Sequence, residues 1–355
     1  MSPCTDAIVI GAGPVGLFQV FQLGLLGLKA ELIDVLPEAG GQCVALYPEK
    51  PIYDVPGVPV CTGRELTRQL LAQAAPFLPP DADTGRPCNL HLGHLVSEVS
   101  ALPEGGYRVA TAQGLVRRAR ALFIAAGAGA FVPKTLALPG LDAAPNVHHH
   151  LPDGTPPGWV GRHLIVSGGG DEALQAVIDI AGTNASHRPA RLSLLHRRDQ
   201  FQADPALDAA VRTLIAQGQV DLIVGMPSAS QISPQGTLSA LDLLGADGQT
   251  RTQPLDHLLI RQGMSPKLGA LTQWGMALER KQVAVSPSTF ESSLPQVYAV
   301  GDINTYPGKK RLLLCGFHEA TLAAHAAAAA LRPDAPQHLL YTTTSPLLHE
   351  RLGLL

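Results

Sequence analysis

The residues with the clearest chemical implication form a glycine-rich turn that occurs twice in the chain, with opposite charge where each copy would read a ribose. The first copy, Gly11-Ala12-Gly13-Pro14-Val15-Gly16, follows the apolar run Ala7-Ile8-Val9-Ile10, and the next apolar run, Ala30 to Ile33, ends on Asp34. The second, Gly168-Gly169-Gly170-Asp171-Glu172-Ala173, follows His163-Leu164-Ile165-Val166-Ser167, and its next strand ends in His196-Arg197-Arg198. Glycine permits a tight strand-to-helix turn and lets the backbone approach a pyrophosphate, which then rests on the positive end of the following helix. A carboxylate about 20 residues further on accepts hydrogen bonds from a free ribose 2'-OH, whereas paired arginines suit a 2'-phosphate. Glycine turns also close ordinary βα units, so the weight rests on each copy having the strand before, the helix after and the ribose-reading residue. The pattern implies two different dinucleotides on one chain.

The elements that must position these residues are legible from periodicity. Strand 6–10, helix 14–26 and strand 29–34 open a doubly wound sheet, followed by a Gly/Pro-rich stretch from Pro37 to Pro59 and a helix from Gly63 to about Phe77. Alternating apolar residues predict short antiparallel strands at 92–102, 106–111 and 114–118, and Ala121 to Gly127 reads as a buried strand. Residues 133–160, rich in proline, glycine and aspartate, mark a crossing. A second βαβ unit follows (strand 163–167, helix 171–182, strand 190–195), then a helix over 207–217 and strands near 220–224, 238–244 and 255–260. The chain returns to a buried strand ending in Ala299-Val300-Gly301-Asp302, an alanine-rich helix from about Glu319 to Leu331 that stops before Pro333, and a tail. The fold class expected is α/β with two Rossmann-like dinucleotide-binding domains, the second inserted in the first. The expected boundaries are 1–126 and 259–336 for the first domain, 127–258 for the second and 337–355 for the tail.

Composition excludes several classes. The 355 residues suffice for two α/β cores, and 46% hydrophobic with 15% charged residues describes a globular protein. A formal charge of −3 without a basic block or an aromatic-basic patch argues against nucleic acid as partner. The apolar stretches are short and interrupted, which argues against a membrane span. The first strand begins too early for a signal segment, and five widely spaced cysteines read as reduced thiols, so a cytoplasmic protein is expected.

Beside both glycine turns the chain carries Gly40-Gly41-Gln42, Ala45-Leu46-Tyr47-Pro48-Glu49-Lys50, Gly127-Ala128-Gly129-Ala130-Phe131, His196-Arg197-Arg198-Asp199 and Ala299-Val300-Gly301-Asp302. On these motifs it resembles the thioredoxin-reductase-like ferredoxin–NADP reductases. Several of these motifs are common to all two-dinucleotide flavoprotein reductases; the stretch from Leu46 through Tyr53-Asp54 is the more specific one. The resemblance implies FAD and NADPH as cofactors. FAD would take Gly11, Gly13, Pro14, Gly16 and Asp34, with Gln42 and Tyr47 along the flavin, Tyr47 stacked on one face, Val96 and Phe131 packed around it, and Asp302 on the ribityl or pyrophosphate region. Thr344 matches a tail position that contacts FAD. NADPH would take Gly168, Gly170, Asp171, Arg197 and Arg198. Hydride would pass from NADPH to the flavin and single electrons to ferredoxin or flavodoxin, in either direction, with no acid or base assigned. A homodimer is implied, its tail covering the partner's flavin through Tyr341 or His349. Two departures stand out: Gln202 replaces an arginine four residues beyond the Arg197-Arg198 pair, and relatives often place an aromatic or histidine near Thr342.

Paired-cysteine chemistry is absent. Thioredoxin reductase needs Cys-x-x-Cys before the second glycine turn, where this chain reads Asn146 to Gly154 without cysteine, and Pro48 stands where a lipoamide-type enzyme has a second cysteine after Cys43. A lone Cys43 leaves an alternative, a single-cysteine NADPH-dependent thiol or peroxide reductase, beside a low-turnover flavin redox sensor; free cysteine more often packs as a small hydrophobe. The triplet His148-His149-His150 is no metal site, because consecutive strand residues face opposite ways. Lys50, Lys309, Lys310 and Arg311 are the densest positive charge for an acidic carrier.

Overall fold

A computed structural model of the chain describes residues 4–82, 85, 87–149, 158–334 and 339–354. It divides into two compact units, Met1–Phe131 with Pro266–Leu355, and Val132–Ser265. The helices, in chain order, are α1 (Pro14–Leu25), α2 (Gln42–Ala45), α3 (Gly63–Ala74), α4 (Asp171–Gly182), α5 (Pro205–Ala216), α6 (Leu313–Leu331) and α7 (Pro346–Arg351).

In the first unit the strand Cys4–Ile10 lies between Ala30–Ile33 and Val116–Ile124, parallel to both. Leu90–His91 extends one edge and Val297–Ala299 adds a parallel strand beside Val116–Ile124, completing a seven-stranded sheet with the antiparallel pair Tyr107–Thr111 and Val96–Ala101. A strand buried on both faces reads as a continuous apolar run, which is what Ala7 to Ile10 and Ala121 to Ile124 supply. One face packs under α1, α3 and α6, where Leu17, Val20 and Leu23 meet Ala323, Ala324 and Ala327. Small residues on α6 let the two helices approach closely. Thr62 and Glu65 close a reciprocal capping box on α3, each side chain accepting from the other's backbone N–H.

The second unit is a five-stranded parallel sheet in the order Val147–His148, His257–Ile260, His163–Ser167, Arg191–His196, Asp221–Val224, with α4 and α5 covering one face. An antiparallel meander, Met226–Ile232, Leu238–Leu244 and Thr250–Pro254, shares a second core with its other face.

Several sequence expectations shift. The segments expected at 114–118 and 121–127 are one strand, Val116–Ile124: its arginine-bearing half pairs with Tyr107–Thr111 and its apolar half with Cys4–Ile10. The last long helix starts at Leu313 rather than near Glu319, because Gly316, a weak helix former, is in fact fitted against Val15 and Gly301. The crossings between units lie in the short strands Ala130–Pro133 and Met264–Lys267, beyond the expected 126/127 and 258/259. A cut after 258 would split His257–Ile260, an inner strand of the second unit's sheet.

Candidate dinucleotide sites

At the carboxyl end of the first unit's parallel strands, the turn from Cys4–Ile10 into α1 is shaped by glycines with different duties. Gly11 lies at φ +111°, and a Cβ there would sit 2.4 Å from the carbonyl oxygen of Ala125. A Cβ on Gly16 would overlap the Gly11 carbonyl at 1.8 Å, so both are demanded by the turn itself. Gly13 is different: its Cβ would meet only the Cα of Gly41, at 3.9 Å. No protein packing requires glycine there, whereas a ligand lying on the backbone would. Gly13 is also the N-cap of α1, without a side-chain cap or an acidic residue in the first turn and with Pro14 at the start, which leaves the helix end open to an anion.

Asp34 is buried at the end of Ala30–Ile33 and receives the N–H of Ala12 at 2.5 Å and of Leu36 at 2.8 Å. Burial pushes its carboxyl above the usual range, although these backbone N–H groups oppose the shift. Its backbone oxygen accepts the N–H of His94, two residues before the buried Val96. Gln42 reaches the other side of the turn: a Cβ on Gly127 would lie 2.9 Å from its amide nitrogen. Gly301 abuts Val15, and Asp302, half-buried and without an ion pair or side-chain hydrogen bond among the described residues, lies within electrostatic reach of Cys43 and Tyr47. Gly11, Gly13, Pro14, Gly16, Asp34, Gln42, Tyr47 and Asp302 therefore surround one sheet end. Phe131 is in the strand Ala130–Pro133, but its side chain lies outside the described residues.

One expectation fails within this unit. Lys309 is no surface charge: its side chain is 7% exposed, and the ammonium donates to the fully buried Glu319 at 2.5 Å and to the Gly301 carbonyl at 2.9 Å. Glu319 also accepts from the Gly301 N–H, Asn304 and Tyr306, so a buried ion pair props the turn that presents Asp302. Sequence reasoning missed this network, although Glu319 lies on the stripe with Gly316, Ala320, Ala323 and Ala327 that α6 buries. Thr344 lies away from the glycine turn of its own chain, as a tail that covers a partner's flavin would place it. It is exposed just before α7, and Arg351 of α7 donates to the Leu25 carbonyl at the end of α1 opposite Gly13, about 18 Å along the helix. Arg332 donates to the neighbouring Leu26 and Gly27 carbonyls, so two cations cap that terminus. Tyr341 is 63% exposed, His349 donates from Nε2 to the Thr342 carbonyl oxygen at 2.6 Å, and residues 337 and 338 lie outside the described residues.

The second unit repeats the arrangement with different electrostatics. A Cβ on Gly168 would sit 2.2 Å from the Arg261 carbonyl and one on Gly169 would strike the His196 ring, whereas Gly170, the N-cap of α4, would meet only Gln202 O at 3.7 Å. Gly170 thus matches Gly13. Here the first turn carries Asp171 and Glu172: Asp171 accepts the Asp204 N–H at 2.7 Å and Glu172 faces Arg261 at 3.9 Å. Arg197 and Arg198 are exposed, and among the described residues neither takes a salt bridge or a side-chain hydrogen bond. Burial and these two charges hold the neighbouring His196 imidazole below its ordinary pKa. The Gln202 N–H donates to Gly169 O at 2.8 Å, so the chain returns to the glycine turn at the position where the additional arginine is missing.

The sequence as a whole matches the family model for pyridine nucleotide-disulphide oxidoreductases over residues 5–330. Ferredoxin–NADP reductases from Leptothrix cholodnii (51% identity, 99% of this chain and 92% of that one) and Verminephrobacter eiseniae (51%, 99% and 97%) are similar over nearly their whole length. The chain belongs to the pyridine nucleotide-disulphide oxidoreductase family, in its ferredoxin–NADP reductase group. A solved thioredoxin reductase from Gloeobacter violaceus has the same fold, with a TM-score of 0.56 at 18% identity over 95% of this chain and 97% of that one.

Membership of a disulphide oxidoreductase family directs attention to the thiols, and all five cysteines are free. Cys43 is buried and donates weakly to the Tyr47 hydroxyl at 3.9 Å. Burial pushes the Cys43 thiol up, and burial with Cys43 beside it pushes Tyr47 up to about 12. A protonated thiol is the wrong state for nucleophilic attack. The histidines diverge: His148 bonds His257 at 3.1 Å and stacks on it beside Trp159, His149 faces Asp142 at 3.6 Å, and His150 lies outside the described residues.

Proposed function

We propose that this oxidoreductase binds FAD in the first unit and NADPH in the second and delivers electrons to ferredoxin, with flavodoxin as a second acidic carrier. The observation that carries this reading is the contrast between a buried Asp34 held by backbone N–H groups and an exposed Arg197 and Arg198, without a partner among the described residues, at equivalent strand ends. Bound FAD supplies the redox chemistry, accepting a hydride from NADPH and releasing electrons singly to the carrier. The chain's own share is orientation. Gly11, Gly13, Pro14 and Gly16 offer the open end of α1 to the pyrophosphate, and Asp34 takes adenosine ribose hydroxyls. Gln42 and Tyr47 line the flavin, Val96 and Phe131 border the cofactor, and Asp302 bonds the ribityl region from a turn fixed by Glu319 and Lys309. In the second unit Gly168 and Gly170 admit the pyrophosphate, Asp171 fixes the loop after it, and Arg197 and Arg198 take the 2'-phosphate.

The exposed Lys50, Lys310 and Arg311 remain as docking charges for an acidic carrier, without Lys309. Since α7 is anchored at the far end of its own α1 and Leu339, Leu340 and Tyr341 stay exposed, we assign the tail, with Thr344, to the flavin of a second copy in a homodimer. Free cysteines throughout fit a cytoplasmic setting.

Assays of NADPH-driven cytochrome c reduction through ferredoxin, run beside thioredoxin reduction, test the reading. Rapid ferredoxin-dependent turnover with negligible dithiol formation is expected. Substantial thioredoxin reduction that survives replacement of all five cysteines contradicts it.

A further inference from the structure

The two exposed arginines of the second unit are followed at once by a carboxylate, Asp199. Such a neighbour should pair with one guanidinium and cancel half of the charge available to a phosphate. In the fold Asp199 faces the other way. Arg212, on α5, donates from Nη1 to Asp199 Oδ1 and from Nη2 to the Asp199 backbone oxygen at 3.2 Å. Its Nε donates to Asp208 at 3.1 Å, and its guanidinium lies 4.7 Å over the Phe201 ring. Every face of this side chain is thus spent on the loop that carries Asp199 or on orienting itself toward that loop. The loop then closes on the glycine turn through Gln202 N–H and Gly169 O. Arg197 and Arg198 are left without a carboxylate among the described residues.

We propose that Arg212 is a specificity-determining positioning residue: it sequesters Asp199 on α5 and so keeps Arg197 and Arg198 positive for the 2'-phosphate of adenosine nucleotides. This rests on the reading of Arg197 and Arg198 as the phosphate site. The arrangement gives a physical reason why an acidic residue is tolerated beside that site, and it matters more here because Gln202 contributes no charge.

The test uses the full-length, FAD-loaded protein and two probes that differ only in the 2'-phosphate, adenosine 2',5'-bisphosphate and 5'-AMP, with binding measured by calorimetry. Arg212→Gln should weaken the bisphosphate about two- to fivefold, the range of one exposed charge pair, and leave 5'-AMP unchanged. Adding Asp199→Asn to Arg212→Gln should restore bisphosphate binding, because the released carboxylate is then gone. If the double variant stays as weak as the single one, or if 5'-AMP weakens equally, Arg212 only shapes the loop and the proposal fails. Arg197→Ala with Arg198→Ala is the separate control. Unchanged bisphosphate binding in that variant overturns the phosphate site itself, whereas a loss there combined with no effect of Arg212→Gln overturns only the role of Arg212.

Discussion

The two glycine turns share one backbone solution and differ in how charge surrounds it. In each, the first glycine is demanded by the protein's own carbonyls, and an added Cβ on the N-cap glycine, Gly13 or Gly170, would meet a single protein atom at no closer than 3.7 Å. Around the first turn two carboxylates are buried and engaged, Asp34 by backbone N–H groups and Glu319 by Lys309, with Asp302 half-buried beside them. Around the second the charged groups are more exposed, with carboxylates tied to backbone or to other arginines and two guanidiniums left over. A buried, pre-satisfied site suits a cofactor that stays, and an exposed cationic rim suits a charged nucleotide that comes and goes. The shared backbone supports reading both as pyrophosphate turns, and the electrostatics support the two occupants proposed.

The comparison can be broken in order of expected effect. Gly13→Val should abolish FAD binding and Gly170→Val should abolish NADPH binding while leaving the yellow, FAD-loaded protein intact, both read by absorbance and nucleotide titration; the reverse pattern would swap the occupants. Lys309→Met should destabilise the first unit by about 3–5 kcal/mol, because it strands a buried carboxylate, and the loss is measured by denaturant unfolding with bound flavin as the probe. Replacing Arg197 and Arg198 by alanine should raise the KM for NADPH roughly tenfold or more, since charge-assisted bonds contribute about 1.5–3 kcal/mol each, and should barely alter that for NADH. The smallest effect is expected at Cys43. Cys43→Ser should keep diaphorase activity, and alkylation of Cys43 should be slow at neutral pH and rise only above the ordinary thiol range, because its raised pKa keeps the thiolate scarce until then.

Much of this was legible from sequence because it is local. A strand, a glycine turn and a helix are neighbours in the chain, so Gly11 to Gly16 and Gly168 to Ala173 announce themselves, and the residue closing the next strand follows at a fixed distance. What escaped depends on distant segments meeting. Lys309 sits in a run of basic residues that reads as surface, and only the packing of α6 against the Gly301 turn turns it inward onto Glu319. The anchor of the tail is another such meeting, Arg351 reaching the Leu25 carbonyl at the end of α1. The meander strands Met226–Ile232 and Thr250–Pro254 carry many polar residues, because one side is solvated, and lack the apolar run by which the inner strands were found.

The most direct test of two turns holding two different dinucleotides is anaerobic rapid mixing of the FAD-loaded protein with NADPH or NADH, following bleaching of the flavin absorbance. NADPH should reduce the flavin at far lower concentration than NADH, and the Arg197→Ala, Arg198→Ala protein should lose that difference while keeping its flavin. A protein that carries no FAD, or whose flavin is bleached equally by both nucleotides before and after removal of the arginines, would contradict the account.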